Sequence, residues 1–264
     1  MIGLISSEWL KTKRTMIRWL TFFMPVLVSA LIIGYFDIRG IGNDFQMEVF
    51  QTFFEIWTIF IIPVGVGILS GFIVHEEELA GSFNSFLSTK LPRYKLYLAK
   101  FIPLSLILAV STFLATAVLC IGMSIVFTGD FYAFPIFILA AILVVIGVLP
   151  LIAIHLWMSF AWGMGASIGM GITGLLMAAL TGGTSLGNFI WRFIPWAWPV
   201  RLAKNLSPYL QFTADMTTPP APVSSGWVAE QLLTGSAAVG ICLMVMLIGG
   251  IIWFNKWEGR KYYE

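Results

Sequence analysis

The stretch that decides the fold reads HEEELAGSFNSFLSTKLPRYKLYLAK and runs from His75 to Lys100. It carries the densest charge in the chain and separates two long apolar runs. Apolar residues recur within it at the spacing of one helical face, namely Leu79, Phe83, Phe86 and Leu87. This pattern predicts a short amphipathic helix between two membrane spans.

Charge and proline set the predicted ends of this helix. Glu76, Glu77 and Glu78 stand at its start, where carboxylates favour the positive end of a helix dipole. Pro92 forbids its continuation. Either lipid headgroups or a protein partner must cover its apolar face, and we favour a protein partner.

Composition indicates a polytopic membrane protein. Apolar residues make up 59% of the chain, charged residues only 11%, and the mean hydropathy is +0.91. Ordinary soluble domains have about 25% charged residues. Cys120 and Cys242 lie inside apolar runs, where a thiol behaves as a small core residue. The basic residues cluster at span ends without an aromatic-basic stripe, so nucleic acid is not an expected partner.

Six apolar runs predict an all-α membrane protein with six transmembrane helices in one domain, residues 1–264. The predicted spans are residues 17–36, 53–74, 101–127, 134–157, 164–180 and 231–254. Residues 1–16 predict a helix in the membrane interface, and residues 37–52 a loop. Val28-Ser29-Ala30 weakly imitates a signal-peptidase site, but the apolar run continues past it, which favours an uncleaved anchor.

The distribution of Lys and Arg predicts the orientation. If both termini lie on one side, the N-terminal segment, the cytosolic coupling segment 75–100 and the tail carry 11 of the 15 basic residues. The other side then has Arg39, Arg192, Arg201 and Lys204. The positive-inside rule therefore places both termini and residues 75–100 in the cytosol.

Residues 181–230 form the longest segment that does not span. The aromatic residues of its first half include Trp191, Trp196 and Trp198, which are interrupted by Pro195 and Pro199. This composition is typical of a membrane interface, in a run too short and too kinked to cross. We expect an outer re-entrant or interfacial element, followed by an exposed extracellular portion.

Ionisable residues within or beside spans are candidates for function. For Glu55, an interfacial position is favoured over a role in a substrate path. For His155, an interhelical hydrogen bond is favoured over a proton relay, because no acid or lysine continues one in the neighbouring spans. Arg192 and Arg201 flank the tryptophan segment and are expected to anchor lipid phosphates or carbonyls, or to contact a substrate or partner subunit.

Glycines mark close helix contacts in two predicted spans. Gly67 and Gly71 form a small-xxx-small pair, as do Gly165 and Gly169. Such pairs let two helix backbones approach closely. We therefore expect tight crossings on these faces.

Motifs for chemistry are missing from the sequence. No G-x-x-x-x-G-K-[ST] occurs, so this chain is not expected to hold a nucleotide. His75-Glu76 begins like a zinc-protease motif, but Leu79 stands where the second histidine is needed. We predict no catalytic, cofactor or metal residue. A membrane-embedded hydrolase using Glu77 and Glu78 is the alternative from another functional class.

Three stretches carry a family resemblance. They are Ser7-Glu8-Trp9-Leu10-Lys11-Thr12-Lys13-Arg14-Thr15, Ala80-Gly81-Ser82-Phe83 with Leu87-Ser88 and Arg93, and Phe193-Ile194-Pro195-Trp196-Ala197-Trp198 with Arg201. With the overall layout, they resemble the ABC-2 type permease subunits of ABC transporters. The chain is more closely similar to the lantibiotic-immunity permeases, nearer the G-type than the E-type subunit.

This resemblance implies a docking role for the charged stretch. In such permeases the segment matching residues 76–89 is a coupling helix that sits in a groove of a separate ATPase subunit. The residues carried over to docking are Glu76, Glu77, Glu78, Leu79, Gly81, Ser82, Phe83, Phe86 and Leu87. Gly81-Ser82 replaces the Gly-Thr of many relatives. ATP and Mg would bind to the ATPase and not to this chain.

The resemblance also implies the partners and the task. We expect two ATPase copies, a non-identical second permease, membrane lipid and a bacterial cytoplasmic membrane. The task would be to expel a lantibiotic or similar amphiphilic peptide and confer self-immunity. Another lipophilic drug, a lipid-linked substrate, or a structural role without transport are the alternatives. Candidates for the substrate path or the second-permease interface are Glu55, Gly67, Gly71, Gly165, Gly169, Trp191, Arg192, Trp196, Trp198 and Arg201.

Overall fold

The apolar runs fold into helices that extend beyond the runs themselves. The computed structural model describes residues 2–11, 16–40, 45–81, 83–89, 91–127, 133–212, 216 and 218–259. The α-helices are α1 Ile2–Lys11, α2 Met16–Arg39, α3 Phe45–Glu55, α4 Ile62–Leu79, α5 Asn84–Leu87, α6 Arg93–Val126, α7 Phe134–Trp162, α8 Met164–Met177, α9 Ala197–Lys204, α10 Ala221–Ser224 and α11 Trp227–Lys256. A π-helical turn, Ile56–Ile61, joins α3 to α4, and another, Ala178–Gly183, extends α8.

Six helical stretches are long and apolar enough to cross a membrane, as the sequence predicts. They are Ile17–Arg39, Phe45–Leu79, Arg93–Val126, Phe134–Trp162, Met164–Gly183 and Trp227–Lys256. The most apolar of them contains α7, which packs against α4, α6, α8, α9 and α11. A helix that is apolar all round is best placed in the middle of a bundle, which is where α7 lies.

The loop predicted over residues 37–52 is wrong at residues 37–39, which end α2, and again from residue 45 onward. α3 begins at Phe45. Buried apolar residues recur every four positions along it, at Phe45, Val49 and Phe53. The Gln46 side-chain oxygen accepts a hydrogen bond from the backbone N–H of Ala133 at 3.1 Å. Polar residues between these positions lower the mean hydropathy of the segment. A prediction based on continuous apolar runs therefore misses this amphipathic helix.

The described segments nearest the two termini, α1 and the residues after α11, lie at one end of the bundle. Lys11 of α1 contacts Glu77 near the end of α4, and Trp257 after α11 contacts Phe83. We term this the charged end, and the end that holds Glu55 the opposite end. The six-span topology with neighbouring termini therefore follows from the contacts, while the side of the membrane and the interfacial position of α1 stay predictions.

Residues 181–212 fold back onto the bundle as short helical pieces. Single 3₁₀ turns form at Ser185–Gly187, Trp191–Phe193 and Ser207–Gln211, and α9 lies between the last two. α9 packs against α7, α11 and the π-helical turn after α8. The predicted kinked element is therefore helical and packed, and its depth in the membrane stays a prediction.

α4 and α8 cross at a distance that only glycine allows. A Cβ added to Gly67 would lie 2.8 Å from the Ser167 carbonyl oxygen, and one added to Gly171 would lie 2.7 Å from that of Pro63. The expected close crossing at Gly67 and Gly71 is confirmed, but its partner is α8 of the same chain. These two glycines are buried, so placing a second permease on them is wrong.

The other predicted pair, Gly165 and Gly169, faces outward. A Cβ added to either would meet nothing within 4 Å, and both residues are exposed. This pair therefore plays no part in the α4–α8 crossing. It stays a candidate for contact with a second permease.

A hydrogen-bond chain joins three helices beside this crossing. The Ser167 hydroxyl on α8 donates to the Gly67 carbonyl on α4 at 2.9 Å. His155 Nδ1 on α7 lies 3.2 Å from the same hydroxyl oxygen. Because the hydroxyl has one proton, His155 donates through Nδ1–H. The predicted interhelical histidine is confirmed.

The α4–α8 crossing can be tested by adding side chains to its glycines. Gly67→Val and Gly171→Val should each lower the melting temperature of the detergent-purified protein by several degrees, because overpacking costs about 1–3 kcal/mol. Gly169→Val is the matched control, since its side chain would meet open space. Equal melting temperatures for Gly67→Val and Gly169→Val would contradict the crossing.

Candidate coupling site at the charged end

The chain reverses direction between α4 and α6 through residues 80–92, which we term the connector. Gly81 has φ +127° and Phe83 has φ +65°. Glycine tolerates this region of backbone space, but a bulky side chain rarely enters it. The connector then makes only one helical turn, α5, before Pro92 precedes the start of α6.

The predicted single amphipathic helix is therefore wrong. Leu79 ends α4 and is 74% exposed, whereas Phe83 is 1% exposed. Leu87 is half-buried against the core of the chain. Because the backbone reverses between Leu79 and Phe83, helical spacing no longer places their side chains on one face. Ser82 and the side chain of Phe86 lie outside the described part of the chain.

Phe83 is part of an aromatic cluster built from four segments. Its ring centroid lies 5.0 Å from that of Trp257 and 6.4 Å from that of Phe160. Tyr97 and Phe254 complete the cluster, with their centroids 5.7 Å apart. Burial of a large ring offsets the unfavourable backbone angle at Phe83. The cluster thus attaches the connector to α6, α7 and the end of α11.

Glu77 joins three helices at the same end. Its Oε1 lies 2.5 Å from Lys100 Nζ on α6 and 2.6 Å from Lys11 Nζ on α1. The Glu77 and Lys100 side chains are 7% and 1% exposed, whereas that of Lys11 is 47% exposed. A buried carboxylate is tolerated only when it is paired and hydrogen-bonded. We term these three residues the Glu77 cluster.

The expected position of the three glutamates at a helix N-terminus is wrong. Glu76, Glu77 and Glu78 occupy the last turn of α4, where the helix dipole disfavours negative charge. Other contacts replace the expected dipole interaction: Glu77 forms ion pairs with two lysines, and Glu78 Oε2 lies within hydrogen-bond distance of His75 Nδ1, at 3.0 Å. A carboxylate held by two ammonium groups is a poor general base, so this geometry disfavours the hydrolase alternative.

Sequence reasoning missed the two lysines that hold Glu77. The sequence pattern counts Lys11 and Lys100 only among the basic residues that predict the orientation of the spans. The available signal was Lys100 itself, which has four residues LYLA before it and the long apolar run of α6 directly after it. A lysine in such a run needs a buried acidic partner. Arg93 was also missed as an anchor: it donates to the carbonyl of Trp257.

Polar contacts also hold the opposite end. Glu55 Oε1 lies 3.0 Å from Lys204 Nζ, which donates to the Gly183 carbonyl at 3.0 Å. Both side chains of this ion pair are partly exposed, at 41% and 34%. Glu55 thus connects the end of α3 to α9. Its partly exposed position is consistent with the predicted interfacial location. A role for Glu55 in a substrate path stays a prediction.

Arg201 anchors backbone carbonyls, as one of its two predicted roles requires. Its guanidinium donates to the Thr181 carbonyl at 3.1 and 3.2 Å, to the Thr184 carbonyl at 2.5 Å and to Asn188 Oδ1 at 3.0 Å. Burial lowers the pKa of Arg201 below its usual value. The side chain stays protonated at neutral pH, because arginine loses its proton only at extreme pH.

Of the three tryptophans predicted to contact a substrate or a second permease, two are buried and Trp196 is half-buried. Trp191 and Trp198 are each 2% exposed and pack with Leu202 and Val239. Trp196 packs beside His155, with ring centroids 6.4 Å apart. Placing an interface with a second permease on Trp191 and Trp198 is therefore wrong, because their rings are buried in the core of this chain. For Trp196 the interface stays a prediction.

The most exposed aromatic residues described in this segment are two phenylalanines that sequence reasoning did not select as site residues. Phe189 is 90% exposed and Phe193 is 82% exposed. Composition alone gives no signal that separates them from the tryptophans. The turns between short helices decide which rings face outward.

One comparison with known proteins identifies the family. A family model described as ABC-2 family transporter protein matches residues 4–181. The chain belongs to the ABC-2 transporter family. The matched part runs from α1 to the π-helical turn after α8, so it contains the connector and the Glu77 cluster. A comparison with curated proteins gives no match.

Membership confirms the coarser part of the sequence predictions. An ABC-2 family chain is a multi-pass membrane permease of an ABC transporter, and it works with an ABC ATPase. The family is one of transporters and not of enzymes. The Glu77 cluster and the aromatic cluster are therefore parts of a permease, and they hold the connector on the bundle.

The Glu77 cluster can be tested by removing one charge. Lys100→Met should destabilise the permease by about 3 kcal/mol, since it removes the buried partner of a buried carboxylate. Adding Glu77→Gln should restore part of this loss, because it removes the buried carboxylate that is then paired only with the half-exposed Lys11. Chemical unfolding in detergent micelles measures both effects.

An exposed ion pair provides the control for this experiment. Arg39 and Glu48 lie 3.0 Å apart, and their side chains are 51% and 43% exposed. Glu48→Gln should cost less than about 1 kcal/mol. If Lys100→Met costs no more than Glu48→Gln, the Glu77 cluster does not stabilise the bundle.

Proposed function

We propose that this permease is one of two non-identical membrane subunits of an exporter for amphiphilic peptides, and that its connector docks on the ATPase. The observation that supports this best is the connector itself. It is attached on one side by the Glu77 cluster and on the other by Arg93. Leu79, the last residue of α4 before the connector, is exposed. A surface loop with such firm attachments suits a docking element.

The contacts supply a mechanism for coupling. ATP and Mg bind to the ATPase, and ATP-driven closure of two ATPase copies would displace a docked connector. Phe83 and Glu77 would pass this displacement to the helices that they contact, because packed elements move as rigid bodies. Binding is reciprocal, so a substrate bound in the membrane would also alter nucleotide affinity on the ATPase.

The charge distribution supports a cytosolic connector. The N-terminal segment, residues 75–100 and the tail carry 11 of the 15 basic residues. Lys11, Lys100 and the connector share the charged end of the bundle. By the positive-inside rule, this end would face the cytosol of a bacterial cell.

A second permease would cover part of the exposed helix surface. Only 28% of the apolar window of Met164–Gly183 is buried within this chain. Gly165 and Gly169 leave open space on this stretch. We place the second subunit there, in place of the buried glycines and tryptophans.

The docking role predicts a selective loss in a surface variant. Leu79→Asp should abolish co-purification of the ATPase while the melting temperature of the permease stays unchanged, because Leu79 is 74% exposed. Phe83→Asp is unsuited to this test, since a buried carboxylate would disrupt the aromatic cluster itself. Affinity purification from membranes with quantification of the ATPase gives the measurement.

Leu186→Asp is the matched control, because Leu186 is 72% exposed and lies at the opposite end of the bundle. It should retain the ATPase. Equal retention by both variants would contradict docking through Leu79.

The substrate class is tested with the wild-type complex in proteoliposomes. A lanthionine peptide should stimulate ATP hydrolysis. Stimulation by a lipophilic drug alone would instead support the drug-export alternative.

Cysteine labelling tests the orientation. Asn84 is exposed and lies in the connector at the charged end. Ser225 is exposed and lies between α10 and α11, on the side of the opposite end. A membrane-impermeant maleimide should label Ser225→Cys in intact cells and Asn84→Cys only after permeabilisation. The unsubstituted chain, with Cys120 and Cys242, corrects for background. Labelling of Asn84→Cys in intact cells would overturn both the orientation and the docking proposal.

A further inference from the structure

A polar cavity of about 400 Å³ opens at the opposite end, between the turns after α8 and the first turn of α11. Its walls include Arg192, Arg201 and Asn205, with Gln231 from α11. Trp191 and Trp227 supply aromatic surface. The proposed export function assigns no role to this cavity.

The cavity is rich in hydrogen-bond donors that lack acceptors. Asn205 is 6% exposed, and within the described residues its Nδ2 is buried without a hydrogen-bond partner. The Nε of Arg192 is also buried and has no hydrogen-bond partner among the described residues. A buried donor without an acceptor is costly, so a ligand that supplies acceptors gains free energy here.

Arg201 contributes a fixed positive charge. Its four hydrogen bonds to Thr181, Thr184 and Asn188 use four of its five N–H groups. These bonds hold the guanidinium in one orientation before any ligand arrives. A fixed cation loses little conformational entropy on binding.

The negative charge near the cavity is small. Glu230 Oε1 lies 3.9 Å from Arg192 Nη2, and its side chain is 66% exposed. Among the described residues that line or contact this wall, the charged groups are the two guanidinium groups and the Glu230 carboxylate. Arg192 Nη2 also lies 3.5 Å from Gln231 Oε1, which is the limit of a hydrogen bond.

An apolar surface borders this polar cavity. Phe189 lines its wall and is 90% exposed. Phe193 directly follows the lining residue Arg192 in the chain and is 82% exposed. A ligand with a multi-oxygen anion on an apolar body matches both parts. Guanidinium pairs and amide donors recognise phosphate through several oxygens at once.

We propose that this cavity binds the phosphate group of an amphiphile, with its apolar chains against Phe189 and Phe193. Arg192 and Asn205 donate to the phosphate oxygens, and Arg201 supplies the charge behind them. The site belongs to this chain alone and needs neither the ATPase nor an exported peptide. Its test is therefore separate from that of the proposed function.

Native mass spectrometry of the full-length protein, purified in a neutral detergent, tests the site with three probes. Phosphatidylglycerol has phosphate and acyl chains, diacylglycerol has the chains alone, and inorganic phosphate has the anion alone. One phosphatidylglycerol should be retained per chain, and the other two probes should bind at least about tenfold more weakly. Equal retention of diacylglycerol would overturn the role of the phosphate, and equal binding of inorganic phosphate would overturn that of the chains.

Substitutions locate the binding. Arg192→Gln should weaken phosphatidylglycerol binding by about tenfold or more, because it removes a charge-assisted donor. Asn205→Leu should weaken it as well. Arg39→Gln is the control, since it removes an equal charge from an exposed arginine that is absent from the cavity wall. If Arg192→Gln and Arg39→Gln retain the lipid equally, the lipid binds elsewhere and the proposal is wrong.

Discussion

The pairing of Glu77 with Lys100 is the interaction on which the charged end of the bundle depends. Both side chains are almost fully buried, and Lys11 reaches the same carboxylate oxygen from α1. A single buried charge in this position would be strongly unfavourable, so each partner requires the other. Because the three residues lie on α1, α4 and α6, satisfying their charges also sets how these helices meet. The aromatic cluster of Phe83, Phe160 and Trp257 then closes the connector over the same end.

The opposite end is held by a different kind of contact, and the difference bears on function. Arg201 and Lys204 project from the last turn of α9 and bind carbonyls at the end of the Met164–Gly183 stretch. Between the two ends, α4 and α8 touch through glycine, so their backbones pack without intervening side chains. A permease that transmits motion needs rigid ends and a closely packed middle, since packed interfaces shift as units. This molecule combines both, while much of α11 stays uncovered by its own chain.

Most of the architecture could be predicted from the sequence, and much of the candidate site could not. Apolar runs of sufficient length predict helices in a membrane, because every backbone hydrogen bond must be made internally there. They located all six spans, and the resemblance located the family. They did not show that Glu76–Glu78 end a helix instead of starting one, since acidic residues suit several local structures. Phe83 was assigned to an exposed face because periodicity assumes a continuous helix, which the reversal at Gly81 interrupts.

Hydrophobicity and its period thus determined by themselves that this chain is a six-helix membrane protein with a charged connector. Only the tertiary structure decided which side chains face inward. It buried Trp191 and Trp198, exposed Phe189, turned Gly67 toward α8 of its own chain and placed Lys100 beside Glu77. The physical reason is that burial and charge pairing join residues far apart in the chain. Helical spacing reports only on residues within a few turns of one another.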